Sequence, residues 1–355
     1  MRTPLVLIVA VVSSSLLAAP ARADTIKVPQ DFTTIQEALD NAAQNDVVLI
    51  KSGLYAESVT ANALPLNVII KAAGNVRIDA TGLGAGLTVS GQNLQVIGIK
   101  VIGGTDGIVV GGQNPVLSKC QVSDVTGRGI VIGGLNPSAF NCKVTASGLE
   151  GLAIVSASNP DLEKCVVTDS TGPGLSIDEE TDNAFIFKCR FVRPGGDGIF
   201  IEGPNSFIEG CRVLEAVGRG IVDNTTPLAV GPDLDFNKIV KPGSDGIVCT
   251  GAPPSVSDCR ITNAVGTGID ITADQAFVLA NKVQGAGEDG LHVAGDDGEW
   301  TANKCTAAAG NGFLIDGVNN FVSFNKAHGS DGFDLQDNQP GNNTIEENKF
   351  GTTNP

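Results

Sequence analysis

The 355-residue sequence has only two histidines, one methionine, one tryptophan and one tyrosine. So few imidazole and thioether groups leave a zinc or copper centre without an obvious donor set. Basic residues are also scarce, with 23 Lys and Arg against 39 Asp and Glu, a formal charge of −16. A body that acidic does not bind nucleic acid or an anionic membrane as a whole. Helix-period apolar patterning is nearly missing, and beyond residue 23 no apolar run is long enough to span a bilayer.

What is present is a repeat. Gly210-Cys211-Arg212-Val213 followed by Gly220-Ile221 is one copy of a recurring frame. In it a Cys or Asn, a basic residue and an apolar residue precede a Gly followed by Ile, Leu or Phe. The Cys/Asn column reads Cys120, Cys142, Cys165, Cys189, Cys211, Asn237, Cys259, Asn281, Asn303, Asn325 and Asn348, in steps of 22 to 26 residues. A period this regular marks stacked coils. Apolar columns lie three residues before it (Leu117 to Ile345) and two after it (Val122 to Phe350). Others follow each Gly (Ile108 to Phe333) and lie two residues further on (Val110 to Leu335). Alternating positions therefore point inward, as half-buried strands require.

Coils of about 22 residues without a helix pattern specify an all-β fold, a single-stranded right-handed parallel β-helix. A leucine-rich repeat has a similar period, but its spaced leucines are missing. An inward Asn at a corner can bond backbone groups and its neighbours above and below. Cys is expected to fill the same slot without that bonding. Six of the eight cysteines occupy this column. Side chains stacked in parallel about 4.8 Å apart hold their Cβ atoms slightly too far apart for a disulfide. Buried free thiols are the expectation.

Residues 1–23 have the form of a secretory signal: Arg2, an apolar run from Leu5 to Leu17, and Ala21-Arg22-Ala23. The alternative, an anchor helix, would be short for a span. Removing that segment leaves 332 residues and, without Arg2 and Arg22, a charge of −18. Residues 24–85 read as an N-terminal cap and first coils, and 86–355 as the repeats. Thr34-Ile35-Gln36-Glu37 has capping-box form, and Ile35, Ala38, Leu39 and Ala42 make one apolar face. This amphipathic helix is expected to cap the solenoid, whose first coil otherwise exposes its core and strand edges. No capping segment is recognisable after Phe350, so a homo-oligomer formed through the C-terminal end is an open expectation. Asp223 falls in an apolar column: either the strand ends early in an outward loop through Pro227 and Pro232, the favoured reading because an unpaired buried charge is costly, or a carboxylate is buried there for a reason.

Two segments carry a family resemblance. Phe32-Thr33-Thr34-Ile35-Gln36-Glu37-Ala38 with Gly53-Leu54-Tyr55-Ala56-Glu57-Ser58-Val59 resembles the amino-terminal segment of pectin methylesterases and related exported β-helix proteins. The later coils resemble repeats of the pectin-lyase-like superfamily. That resemblance implies the fold and a choice among polysaccharide lyases, hydrolases, esterases, epimerases and non-catalytic scaffolds. It carries over no catalytic residue. Asp182-Asn183-Ala184-Phe185-Ile186-Phe187 is only partly similar to the esterase Asp-Phe-Ile-Phe-Gly strand, and Gly295-Asp296-Asp297 lacks the other motifs of polygalacturonases. The Asp-Pro-His-Asp motif of alginate epimerases is missing.

The residue after each Cys/Asn carries the functional lead. It is Lys143, Arg190, Arg212, Lys238, Arg260, Lys282, Lys304, Lys326 and Lys349, interrupted by Gln121 and Val166, with Lys100 extending the line. Flanked by inward positions, it must face solvent. Acids that could compensate lie nearby: Glu163, Glu209, Asp235, Asp258, Glu346 and Glu347. A further acidic column, Asp106, Glu150, Asp197, Asp245, Asp289 and Asp331, precedes the glycines. One reading is a solvated, charge-alternating face. The other is a track for an acidic polysaccharide, with Arg190, Arg212, Lys238, Arg260, Lys282 and Lys304 as its binding residues. A lyase on that track would use Arg212, Lys238 and Arg260 to neutralise a carboxylate and remove a proton, with Asp235 or Asp258 holding Ca²⁺. A second cluster is expected where Asp270, His292 and Asp334 share an outward column near Asp316, Asp289 and Asp331. One Trp and one Tyr leave few platforms on which a neutral sugar could stack. The alternative function is a non-catalytic surface or envelope scaffold.

Overall fold

The computed structural model describes residues 23–354, so the expected signal segment, Ala23 apart, lies outside the described residues. Each repeat contributes three short strands, for example Phe207–Glu209, Arg212–Leu214 and Ile221–Asp223, which define a first, second and third face. On the first two faces the middle residue of the strand is buried, and on the third face the two outer residues are. Strands of successive coils pair in parallel at constant register. The third face is a 14-stranded sheet. The other two faces merge into a 27-stranded sheet, because the long early strand Ile69–Asp79 pairs with first-face and second-face strands alike. The molecule is an all-β parallel solenoid with almost no helix.

The apolar columns form one continuous core from Val28 to Leu335, with Trp300 at 1% exposure on the first face. Glycine precedes the third face because backbone passes close there: a Cβ on Gly246 would lie 2.3 Å from the carbonyl oxygen of Gly268 and 2.6 Å from Ile261. All eight cysteines are buried free thiols. In the corner column, Asn237, Asn281, Asn303, Asn325 and Asn348 each donate to the carbonyl of a first-face residue one coil back. Their Oδ1 atoms accept the main-chain N–H of the preceding corner residue. The expectation that cysteine does no such bonding is corrected. The thiols of Cys142, Cys165, Cys189, Cys211 and Cys259 point at the equivalent carbonyls, at 3.4–3.7 Å. What cysteine lacks is the strong acceptor.

Among the described residues a single helix occupies Ile35–Asp40, with both arms of the capping box formed between Thr34 and Glu37. Ile35, Ala38 and Leu39 are buried. The Glu57 carboxylate accepts from the backbone N–H groups of Ile35 and Gln36 at 2.9 and 3.0 Å, joining the second quoted segment to the first.

Two sequence expectations fail. Asp223 does not leave the strand early: it ends Ile221–Asp223, pairs with Ile201 and Cys249, and is fully buried. The outward loop begins only after it, with Leu228 fully exposed. In the last coil, Phe333 is not core. The core residue of the third face lies ten positions after the corner residue, as Ile221 follows Cys211, and from Asn325 that position is Leu335. Phe333 is therefore left outside at 39% exposure, and Asp334 takes the glycine slot. Its carboxylate accepts from the N–H groups of Ser330, Gly351 and Thr352.

Candidate functional site

Register places the basic residues at the start of each second-face strand in one line. Arg190, Arg212, Lys238, Arg260, Lys282, Lys304, Lys326 and Lys349 are directly paired neighbours, and all eight are exposed. At about 4.8 Å per strand the row is roughly 34 Å long. Val166 separates it from Lys143, and Gln121 separates Lys143 from Lys100. Arg260, Lys282 and Lys304 line a shallow depression with Gln284 and Thr306.

Stacked like charges repel, and two of the acids that could offset them are engaged elsewhere. Among the described residues no carboxylate oxygen lies within 4.0 Å of any cation in the row. Glu163 pairs with Lys164, and Asp235 accepts the Ser257 hydroxyl at 2.6 Å. The column before the glycines largely satisfies itself. Asp106 pairs with Arg128 at 2.7 Å and Asp197 with Arg219 at 3.2 Å. Asp106, Asp197, Asp245 and Asp289 each accept the main-chain N–H one coil on. Asp331 falls out of that column, because Phe333 takes the slot.

On the third face Asp270 and His292 are register neighbours, but Gln336, not Asp334, continues the column beyond Leu314. His292 is held between two carboxylates, Nδ1 at 2.8 Å from Asp270 and Nε2 at 3.0 Å from Asp316. The hydrogen bond to Asp270, against the opposing effect of burial and with help from Asp316, raises the imidazole to about 9. Burial notwithstanding, Asn338 and His292 hold Asp316 below the ordinary carboxylate value. The bracket thus favours the protonated imidazole, with both ring nitrogens occupied. Among the described residues no group of three or more His, Cys, Asp or Glu converges to hold a metal ion.

Two patterns escaped the sequence reading. Phe185, Phe207, Phe277 and Phe321 recur four residues before the corner column and stand 36–40% exposed on the first face. They correct the expectation of few stacking platforms, which counted only Trp and Tyr. Asn residues also recur six positions before that column, all in the left-handed region, and bond side chain to side chain from Asn45 through Asn67, Asn93, Asn114 and Asn136 to Asn159. Aligning the outward positions, rather than only the inward ones, would have found both.

A family model described as a right-handed β-helix region matches residues 136–279. A cell surface glycoprotein of Methanothermus fervidus is 29% identical over 109 residues, 30% of this chain and 18% of that protein, so the chain spans under a fifth of that relative's length. Among solved structures, the A-module of an Azotobacter vinelandii mannuronan C-5 epimerase superposes with a TM-score of 0.54 at 16% identity, covering 90% of this chain and 94% of that one. A PL6 family polysaccharide lyase from Pseudopedobacter saltans gives a TM-score of 0.58 at 12% identity, covering 93% and 92%. Those likenesses are of fold, and with the family match they supply the hand of the coil. The chain folds as a parallel β-helix, and its residues 136–279 match the right-handed β-helix family.

Proposed function

We propose that the protein binds an acidic polysaccharide, outside the cell, along the cation row of the second face. The observation that carries this reading is the row itself: eight stacked, exposed cations without a carboxylate within 4.0 Å among the described residues, on a chain of net charge −16. A purely structural row would need compensation; a polymer with a carboxylate on each unit supplies it. The epimerase and lyase of like fold, by their names, act on polysaccharides, which is in keeping with the reading. Reversal of Arg212, Lys238 and Arg260 to Glu is expected to abolish retention on immobilised polyuronate. Unchanged retention would sink the proposal. In the same assay the absorbance of unsaturated uronides, followed with and without Ca²⁺, should stay flat for a binder; a rise would make the protein a lyase.

A second reading, a non-catalytic surface scaffold, draws on the similarity to a cell surface glycoprotein. There the same reversals change stability slightly and nothing else. We also read the helix Ile35–Asp40 as the N-terminal cap, since its apolar face is buried against the first strands. Leu39→Asp should then expose the first coil and produce aggregation in light scattering; a soluble variant of unchanged mass would refute the assignment.

A further inference from the structure

The cation row explains affinity for charge but not for sugar, and the coils at its N-terminal end carry something more. On the first face Phe185 and Phe207 are directly paired neighbours, 39% and 40% exposed. The rings of Phe185 and Phe187 are stacked, with centroids 5.9 Å apart and planes only 17° from parallel, which adds apolar surface beside Phe207. Lys188, next to the corner residue Cys189 between the first-face strand Phe185–Phe187 and the second-face strand Arg190–Val192, places its Nζ 4.2 Å from the Phe187 ring centroid. Among the described residues Lys188, Arg190 and Arg212 have no carboxylate within 4.0 Å. Exposed rings cost free energy in water, and a cation over a ring has half of its shell open to an anion.

We propose that Phe185 and Phe207, with Phe187 stacked behind Phe185, form a stacking platform for one sugar ring of an acidic polysaccharide. Lys188 takes that unit's carboxylate, and Arg190 and Arg212 take those of adjoining units beyond the corner. The inference rests on the acidic-polymer reading and sharpens it. A ligand made only of charge would use the row and ignore the platform, whereas the platform requires a ring with an apolar face. A protein partner would use the rings but leave three cations without anions, so the charge complement favours the uronate.

The test compares retention on polyuronate with retention on polyacrylate, which has the carboxylates and no rings. Wild-type protein is expected to bind polyuronate more tightly. Phe185→Ser with Phe207→Ser should weaken polyuronate binding on the order of tenfold, as the loss of two stacked contacts implies, and leave polyacrylate binding unchanged. Phe185→Trp with Phe207→Trp should retain polyuronate binding, which separates loss of stacking from loss of fold. Equal wild-type binding to both polymers overturns the platform, as does a serine variant unchanged on polyuronate, while the row reading survives if the Arg212, Lys238 and Arg260 reversals still abolish retention. Self-association of the wild type that the serine variant loses would also overturn it, in favour of a protein contact. Failure of the wild type to bind either polymer removes the parent reading and this one together.

Discussion

At the residue scale Asp223 is the position where the repeat rule is broken from within. Its Oδ1 accepts from the Thr225 N–H at 3.0 Å, while its buried Oδ2 has no partner. Burial raises its carboxyl above the ordinary value, so the folded chain favours the protonated form. A group whose folded value is raised gives stability that is complete below its unfolded value, about 3.9, and that is lost as pH rises through the raised one. Asp223→Asn keeps the acceptor for Thr225 and cannot ionise. It should stabilise the protein at pH 7 by about 1–3 kcal/mol, and the advantage should shrink towards pH 4 in thermal melts. An advantage independent of pH would contradict the assignment. The sequence identified the odd residue type in an inward column; it misjudged the outcome because burial raises the carboxyl and so lessens the cost of an unpaired charge there.

At the scale of the element, the unit is the corner rather than the strand. A three-residue strand makes few bonds of its own, and the corner side chains tie one coil to the next. Asn303 donates to the Val278 carbonyl at 2.8 Å and accepts from the Asn281 N–H at 2.9 Å. Asn303→Ala leaves both groups buried and unpaired and should cost about 2–4 kcal/mol. Asn303→Cys should cost less, since a thiol meets the same carbonyl in other coils. Denaturant midpoints compare the two, and equal losses would show that the carbonyl contact contributes nothing. The capping box of Ile35–Asp40 was legible because all its parts lie within one turn. The part played by Glu57 was not, because its partners Ile35 and Gln36 are 22 and 21 residues away and meet it only once the first coil closes.

At the scale of the whole molecule, charge is segregated on an acidic body. Several acids pair or bond main-chain groups at the turns, and among the described residues the cations of the second-face row have no carboxylate within 4.0 Å. Exposed charges are screened beyond about 10 Å at 0.1 M salt, so retention on polyuronate should fall steeply as sodium chloride is raised through that range; retention indifferent to salt would argue against the row. The sequence by itself determined the coil length, the inward columns and the outward direction of the basic residues, since a period of about 22 and alternation along a strand leave no other arrangement. Only the tertiary structure decided which acids answer which cations, that Asp334 leaves the His292 column, and that phenylalanines far apart in sequence share one face. Those outcomes depend on register between coils: in the last coil Leu335, not Phe333, falls opposite Phe313, which leaves Phe333 ahead of the strand and on the surface.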